Sequence, residues 1–215
     1  MKVLKFEDID INHVTFDDPM TTYTGGRSVS VKYEGDKLRM FTPKCYLPFG
    51  MSSYQNEMMT QPRLSLELSL RGQSQYMKEF TTFFDTFDDH VLYVAEKEAG
   101  SWFSKDISGE QIKDIFKKTL KKNKTFPPLL KAKMTTDQNG KYYGDVFDKF
   151  KNVTTLDAIK KGVYVQSIVE CVGVYFSKKE FGITWKVVQV KVFPPEKLQG
   201  YAFCDDEDQE VAEKI

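Results

Sequence analysis

The chain has 215 residues, 40% hydrophobic and 14% aromatic, enough for one elaborated domain with a substantial core. Its 31 basic and 31 acidic side chains cancel, and its three cysteines, Cys45, Cys171 and Cys204, form no CxxC pair, which excludes a disulfide framework and points to reduced thiols in a cytosolic or nuclear protein. The start, Met-Lys-Val-Leu-Lys-Phe-Glu-Asp, has no apolar h-region and no stretch approaches ~18 apolar residues, so neither secretion nor a membrane span is expected.

Val29, Val31 and Tyr33 alternate with Ser28, Ser30 and Lys32, the period of a half-buried strand. Glu34-Gly35-Asp36-Lys37 then reads as a hairpin turn, with Leu38 to Phe41 returning. Leu64, Leu66, Leu68 and Leu70 alternate with Ser65, Glu67 and Ser69, the cleanest strand pattern in the chain. From Gln75 to Lys97, Tyr76, Met77, Phe80, Phe83, Phe84, Phe87, Val91 and Val94 recur at three- and four-residue spacing, which predicts a long amphipathic helix. Ser108 and Gln111 form a capping-box pattern. Ile112, Ile115, Phe116 and Leu120 then form the stripe of a second helix, which ends before Pro127-Pro128.

Leu130, Ala132 and Met134 alternate with Lys131 and Lys133. Asp137-Gln138-Asn139-Gly140 is a turn suited to positive φ, and Lys141 to Phe147 returns. Val163 to Phe176 and Phe181 to Phe193 form a long hairpin around Ser177 to Glu180. The fold class expected is mainly β (α+β): an OB-type β-barrel with one long amphipathic helix, a second short helix and a disordered acidic C-terminal tail. Residues 1–200 are expected to form one domain, with a helical insertion over about 75–125, and 201–215 the tail.

Catalytic signatures are absent. There is no Walker loop, no GxGxxG and no HExxH, and His13 and His90 have no second ligand at metal spacing. Asp85, Asp88 and Asp89 share one helix face, but opposite the phenylalanine stripe they read as a solvated polar face. In the Asp137–Gly140 turn, Lys141 stands where the next calcium ligand belongs. No enzymatic activity, metal or cofactor is expected.

Binding chemistry is present. Lys113, Lys117, Lys118, Lys121, Lys122 and Lys124 place six ammonium groups in twelve residues, a pattern for tracking phosphates or for a solvated helix back. Between Arg39 and Arg63, the rings of Phe41, Tyr46, Phe49 and Tyr54 interleave with Arg39, Lys44 and Arg63 in a loop-rich segment. Rings that stack on bases beside cations that meet phosphates are the components of a single-strand groove; the same rings can also plug a barrel end. Lys131 and Lys133 share one strand face, which either Tyr142 or Tyr143 joins across the turn. In the last strand, alternation puts Trp185, Gln189 and Lys191 on one face, and Lys186, Val188, Val190 and Val192 on the other. Alternation alone does not say which face meets a ligand.

The last fifteen residues hold Asp205, Asp206, Glu207, Asp208, Glu210 and Glu213 against Lys214 alone, so the preceding 200 carry 30 basic and 25 acidic side chains. An acidic end on a basic body can lie in a cationic groove until DNA displaces it, or recruit basic patches on other proteins.

Gly26-Arg27-Ser28-Val29 through Tyr33, Phe41-Thr42-Pro43 leading to Leu47-Pro48-Phe49-Gly50, and Phe181-Gly182-Ile183-Thr184-Trp185 through Val192 resemble a viral family. It comprises the podophage-like single-stranded-DNA-binding proteins of nucleocytoplasmic large DNA viruses, those of algae and giant amoebal viruses included. The likeness runs from about Thr22 to Asp208. It implies an OB fold with an added helix, and a role in viral DNA replication, recombination or repair in the host-cell cytoplasm or nucleus. It also implies homodimers in some members and an acidic tail that regulates DNA access and contacts replication enzymes. Phage relatives end in an aromatic residue, whereas this sequence ends Glu213-Lys214-Ile215.

The function expected is sequence-tolerant binding of single-stranded DNA. Tyr46, Phe49, Tyr54 and Tyr143 are the candidate stacking rings, and Trp185 is a candidate nucleic-acid contact or a core residue. Arg39, Lys44, Arg63, Lys131, Lys133, Lys186 and Lys191 are the candidate phosphate ligands. The alternatives are a virion or assembly protein that uses the aromatic surface for protein contacts, and an RNA-binding OB module.

Overall fold

The computed structural model describes residues 2–22, 25–57, 59, 61–103, 106–137 and 140–195. Among these, fourteen strands join in one large sheet system, with three α-helices beside it. The acidic tail, the Gln138-Asn139 pair of the predicted turn and Cys204 lie outside the described residues. No helix among the described residues is long and apolar enough to cross a membrane.

The N-terminal strands β1 (Val14–Phe16) and β2 (Met20–Thr21) both pair with β3 (Arg27–Tyr33), whose Val29, Val31 and Tyr33 are buried. Glu34 and Gly35 adopt φ of 49° and 82°, the two positive values that a tight hairpin turn needs. The return strand is shorter than the alternation predicts. Only β4 (Asp36–Lys37) pairs back on β3, while β5 (Arg39–Phe41) leaves and pairs with β13 (Tyr164–Phe176). Leu38 and Met40 are fully buried by that departure.

β6 (Cys45–Tyr46), β7 (Met51–Tyr54) and β8 (Arg63–Ser69) follow, with the leucines of β8 turned inward. Cys45 and Cys171 are buried free thiols; burial pushes Cys45 up to about 12 and raises Cys171 as well, so both are inert.

α1 (Gln75–Lys97) has the predicted bounds and starts where the Ser74 hydroxyl accepts the Met77 N–H at 3.2 Å. Its stripe, Phe80, Phe84 and Phe87, packs on the inner side of the sheet. After α2 (Ala99–Trp102), α3 (Gly109–Ile115) carries the full capping box between Ser108 and Gln111. The second helix was expected to run on through Leu120. It stops at Ile115, and the chain becomes β9 (Phe116–Lys117) and β10 (Leu120–Lys121). Phe116 pairs with Phe181 and packs on its ring at 5.1 Å, so sheet pairing overrides helical periodicity here.

The loop between β9 and β10 corrects the reading of the α1 carboxylates. Asp88 is 1% exposed, and its carboxylate accepts the Thr119 N–H at 2.9 Å and the Thr119 hydroxyl at 2.5 Å. Asp85 is ion-paired with Lys122 at 2.6 Å. Burial pushes the Asp88 carboxyl up to about 6, against the pull of the Thr119 hydrogen bonds. The folded protein therefore holds a proton that the unfolded chain releases near ~4, and the associated stability is lost as pH rises through about 6. Asp88→Asn keeps an acceptor for the Thr119 N–H and a donor for its hydroxyl, without the charge. It is expected to flatten this pH dependence and to add about 1–3 kcal/mol at alkaline pH, read by urea denaturation on either side of the transition.

β11 (Leu129–Met134) pairs antiparallel with β8 and parallel with β14 (Phe181–Phe193). Lys141 to Phe147 does not return along β11. One bridge joins Thr136 to Tyr142, and β12 (Asp145–Phe147) then pairs parallel with β14. The long hairpin of β13 and β14 is the spine of the sheet, paired from Tyr164–Phe193 to Phe176–Phe181. Gly173 lets β3 cross close to it: φ is 148° and a Cβ would stand 2.2 Å from the Val29 carbonyl oxygen. β6 pairs with β13 and with β8, so the sequence of neighbours β13, β6, β8, β11 and β14 returns to β13.

Candidate nucleic-acid interface

Cross-strand register decides which side chains share the outer face. Ser52, Ser65, Lys133, Lys186, Glu170 and Arg39 stand side by side on β7, β8, β11, β14, β13 and β5. Tyr54 pairs with Arg63 on one side of this row, and Glu67 with Lys131 on the other. The intervening leucines of β8 and Leu130, Ala132 and Met134 of β11 point inward and hold the row in place.

Glu170 organises the middle of the row. It is 4% exposed and meets Arg39 Nε at 2.7 Å, Lys186 Nζ at 2.9 Å and Lys37 Nζ at 3.7 Å. Burial would raise its carboxyl, but hydrogen bonds from Lys186 and Arg39 outweigh that and hold it below the ordinary range. Lys133, next in the row, stands in the opposite situation. Burial first, then the neighbouring charges of Arg63 and Lys131, push its ammonium below the ordinary lysine value. An anion placed there relieves that repulsion.

Two clefts flank the Lys133–Lys186 pair. One, of about 260 Å³, is lined by Lys117, Lys118, Lys131 and Lys133 with Thr119 and Thr184. Lys117 reaches Glu180 at 2.9 Å, and the Tyr175 hydroxyl donates to the same carboxylate at 3.0 Å. The other, of about 240 Å³, holds Lys37, Arg39, Lys186 and Glu170 beneath Tyr142 and Tyr143. Tyr142 is buried, donating its hydroxyl to the Val187 carbonyl at 2.9 Å. Tyr143 is the tyrosine that stays outside, 72% exposed.

Arg63, Lys131, Lys133, Tyr54 and Tyr143 are thus brought to one exposed surface. Arg39 and Lys186 reach it too, but as ion-pair partners of Glu170. Lys44, Tyr46 and Lys191 gather instead around Tyr164 and Phe193, at the open end of the β13–β14 hairpin. Lys44 Nζ lies 4.5 Å from the Phe193 ring centre and 5.4 Å from that of Tyr164, and Tyr46 packs on Tyr164 at 5.3 Å. Phe49 is exposed in the turn before Gly50, which seats against the 159–161 backbone; no ladder places it in the rows.

Trp185 is not a stacking ring. It is 1% exposed and packs on Phe84 at 5.4 Å and Phe87 at 5.7 Å, where α1 covers β14. The face assignment of β14 also changes. A register shift opposite Ile168 and Val169 leaves Val188 and Gln189 both toward the outside, so Lys186, Gln189 and Lys191 face out while Trp185, Val187, Val190 and Val192 face in. The regulatory residues Asp205, Asp206, Glu207, Asp208 and Glu210 lie outside the described residues.

Sequence reasoning did not single out Glu170, Lys37, Tyr164 and Phe193. Glu170 had a signal: a lone carboxylate in the otherwise apolar run Ile168 to Val174 calls for buried cationic partners. Among the described residues, no cluster of histidine, cysteine, aspartate and glutamate is suited to a metal ion.

A family model described as a family of unknown function (DUF5871) matches residues 72–205, which include α1, the lysine segment and β11 to β14. The uncharacterized protein L291 of Acanthamoeba polyphaga mimivirus is 24% identical over 164 residues, 74% of this chain. The chain spans about a quarter (26%) of that relative's length. Among solved structures, gp2.5, a single-stranded DNA binding protein encoded by bacteriophage T7, is similar with a TM-score of 0.50 and 9% identity. That alignment covers 78% of this chain and 98% of gp2.5, a likeness of fold. The single-stranded DNA-binding protein from bacteriophage Enc34 in complex with ssDNA aligns with a TM-score of 0.44 and 12% identity, over 86% of this chain and 96% of that one.

Proposed function

The chain belongs to that family of unknown function, and from its outer face we propose that it binds single-stranded DNA without strong sequence preference. The observation that carries this reading is the row from Ser65 to Arg39, where Lys133 stands between Arg63 and Lys131, with exposed Tyr54 paired to Arg63 and exposed Tyr143 lining the cleft at Lys186. Clustered cations meet successive phosphates and release counterions. Exposed rings offer flat faces to unpaired bases, which a duplex keeps stacked. The fold shared with gp2.5, itself a single-stranded DNA binding protein, supports it.

In this reading the circuit of β13, β6, β8, β11 and β14 is an OB-type barrel, residues 1–200 are the binding domain with its helical insertion, and residues 201–215 are an acidic tail that competes with DNA for the cations and contacts replication proteins. The protein then acts by binding, not catalysis. It stands with the single-stranded-DNA-binding proteins of nucleocytoplasmic large DNA viruses, in replication, recombination or repair at viral replication sites, as a monomer or homodimer.

The test is fluorescence anisotropy of labelled oligo-dT at low and moderate salt, with the full chain and with a chain truncated after Gly200. Binding that weakens with salt and strengthens on truncation supports the groove and the competing tail. No binding by either form rejects the reading, and salt-insensitive self-association then favours an assembly role.

A further inference from the structure

The outer face continues past the cationic row into a site of different chemistry. Beyond Lys186 and Glu170, the spine presents Gln189 beside Ile168, then Lys191 beside Gln166. β5 borders this stretch with Phe41, the partner of Ile168, and β12 borders the other side with Phe147, the partner of Lys191. Together they line a cavity of about 280 Å³. Strands in a sheet lie about 4.8 Å apart, so β5 and β12 stand roughly 14 Å from each other across β13 and β14. The two phenyl side chains line opposite rims of this cavity, whose volume has room for one flat group.

The polar groups of the cavity add direction. Gln189 donates its Nε2 to Asp145 Oδ2 at 3.2 Å, which leaves its Oε1 as an acceptor for a ring N–H. Lys191 and Lys151 bring positive charge to the rim. Lys151 is held there by the Asp148 turn, whose carboxylate accepts the Phe150 N–H at 2.8 Å and the Asn152 N–H at 2.9 Å.

A ligand that is flat and apolar on its faces, carries N–H donors on its edge and has an anion attached is a nucleotide. We propose that this cavity receives one nucleobase of the bound strand, with Phe41 and Phe147 against the base, Gln189 at its edge, and Lys151 and Lys191 at the adjoining phosphate. This rests on the single-strand reading above and deepens it. The row at Lys133 and Lys186 tracks the backbone, whereas this cavity anchors a base.

The experiment separates the two. Anisotropy is measured with oligo-dT, with an all-abasic strand of the same length, and with that abasic strand carrying one thymine. The protein is expected to bind the one-thymine strand about tenfold more tightly than the all-abasic strand, the contribution of one stacked base. Phe41→Ala, at an exposed position, is expected to cut that difference severalfold, the remainder falling to the exposed rings of Tyr54 and Tyr143, while leaving affinity for the all-abasic strand unchanged. Phe41→Leu, which keeps an apolar side chain but no ring, does the same. Equal affinity of the unmodified protein for the two abasic strands, or a thymine increment undiminished by both substitutions, overturns the base site and leaves phosphate tracking intact. Failure to bind oligo-dT overturns the single-strand reading, and the base site with it.

Discussion

Trp185→Ala is expected to lower the stability of the protein by about 3–5 kcal/mol, the range for removing a large aromatic side chain from a packed core. The indole lies where β14 meets α1, edge-on to Phe84 and tilted against Phe87, and its neighbours across the ladders are Ala132 and Cys171. Ala132 and Cys171 are too small to fill the space it leaves, and Phe84 and Phe87 are held by the α1 backbone. Trp185→Phe is expected to cost far less, because the indole N–H has no hydrogen-bond partner among the described residues and its loss strands no acceptor. Denaturation followed by circular dichroism measures both, and oligo-dT anisotropy on Trp185→Phe measures the binding. A phenylalanine variant that folds normally but loses oligonucleotide would return this position to the ligand surface.

Reversing two charges in the row is expected to have the largest effect on binding. Lys131→Glu with Lys133→Glu removes two phosphate partners and sets two carboxylates against the strand. The expected loss in oligo-dT affinity at low salt is about a hundredfold, with the slope of log affinity against log salt shallower by about 1.4. Both lysines stand on the outer face of β11 and leave the inward Leu130, Ala132 and Met134 untouched; the new carboxylate opposite Glu67 costs at most about 1 kcal/mol of stability. The opposite sign is expected at Glu170. Glu170→Gln releases Lys37, Arg39 and Lys186 from the internal carboxylate, and affinity at low salt should rise severalfold with a steeper salt slope. That gain comes with a loss of stability, since Arg39 is then a largely buried cation without its partner. In the proposed function, Glu170 is a built-in anion that holds these cations together until phosphate replaces it. If Glu170→Gln bound oligo-dT no better than the parent protein while remaining folded, phosphates would not be meeting these three cations.

Much of the local structure was legible in the residues. α1 is set by a stripe at three- and four-residue spacing and by Ser74, α3 by the reciprocal Ser108–Gln111 bonds, and β8, β11 and the long hairpin by alternation. These signals lie within one element, where a side chain's direction follows from its own backbone period. The same alternation separates Lys131 and Lys133 from Leu130 and Met134 before any partner strand is known.

What only the tertiary structure decided depends on pairing between distant segments. The residues 39, 52, 65, 133, 170 and 186 become neighbours through five ladders, and no local period encodes such a register. Pairing with β13 drew Arg39–Phe41 away from its hairpin, and pairing with β14 turned Phe116 from helix to strand. One extra residue in β14 moved Gln189 to the outer face beside Lys186 and Lys191. The helix stripe predicted a buried side for α1 but not that Trp185 would fill it, nor that Thr119 would bury Asp88 on its flank. Composition and period thus determine which side chains this protein can offer to a ligand. Long-range register, which balances burial against hydrogen bonding over the whole sheet, decides which of them stand together.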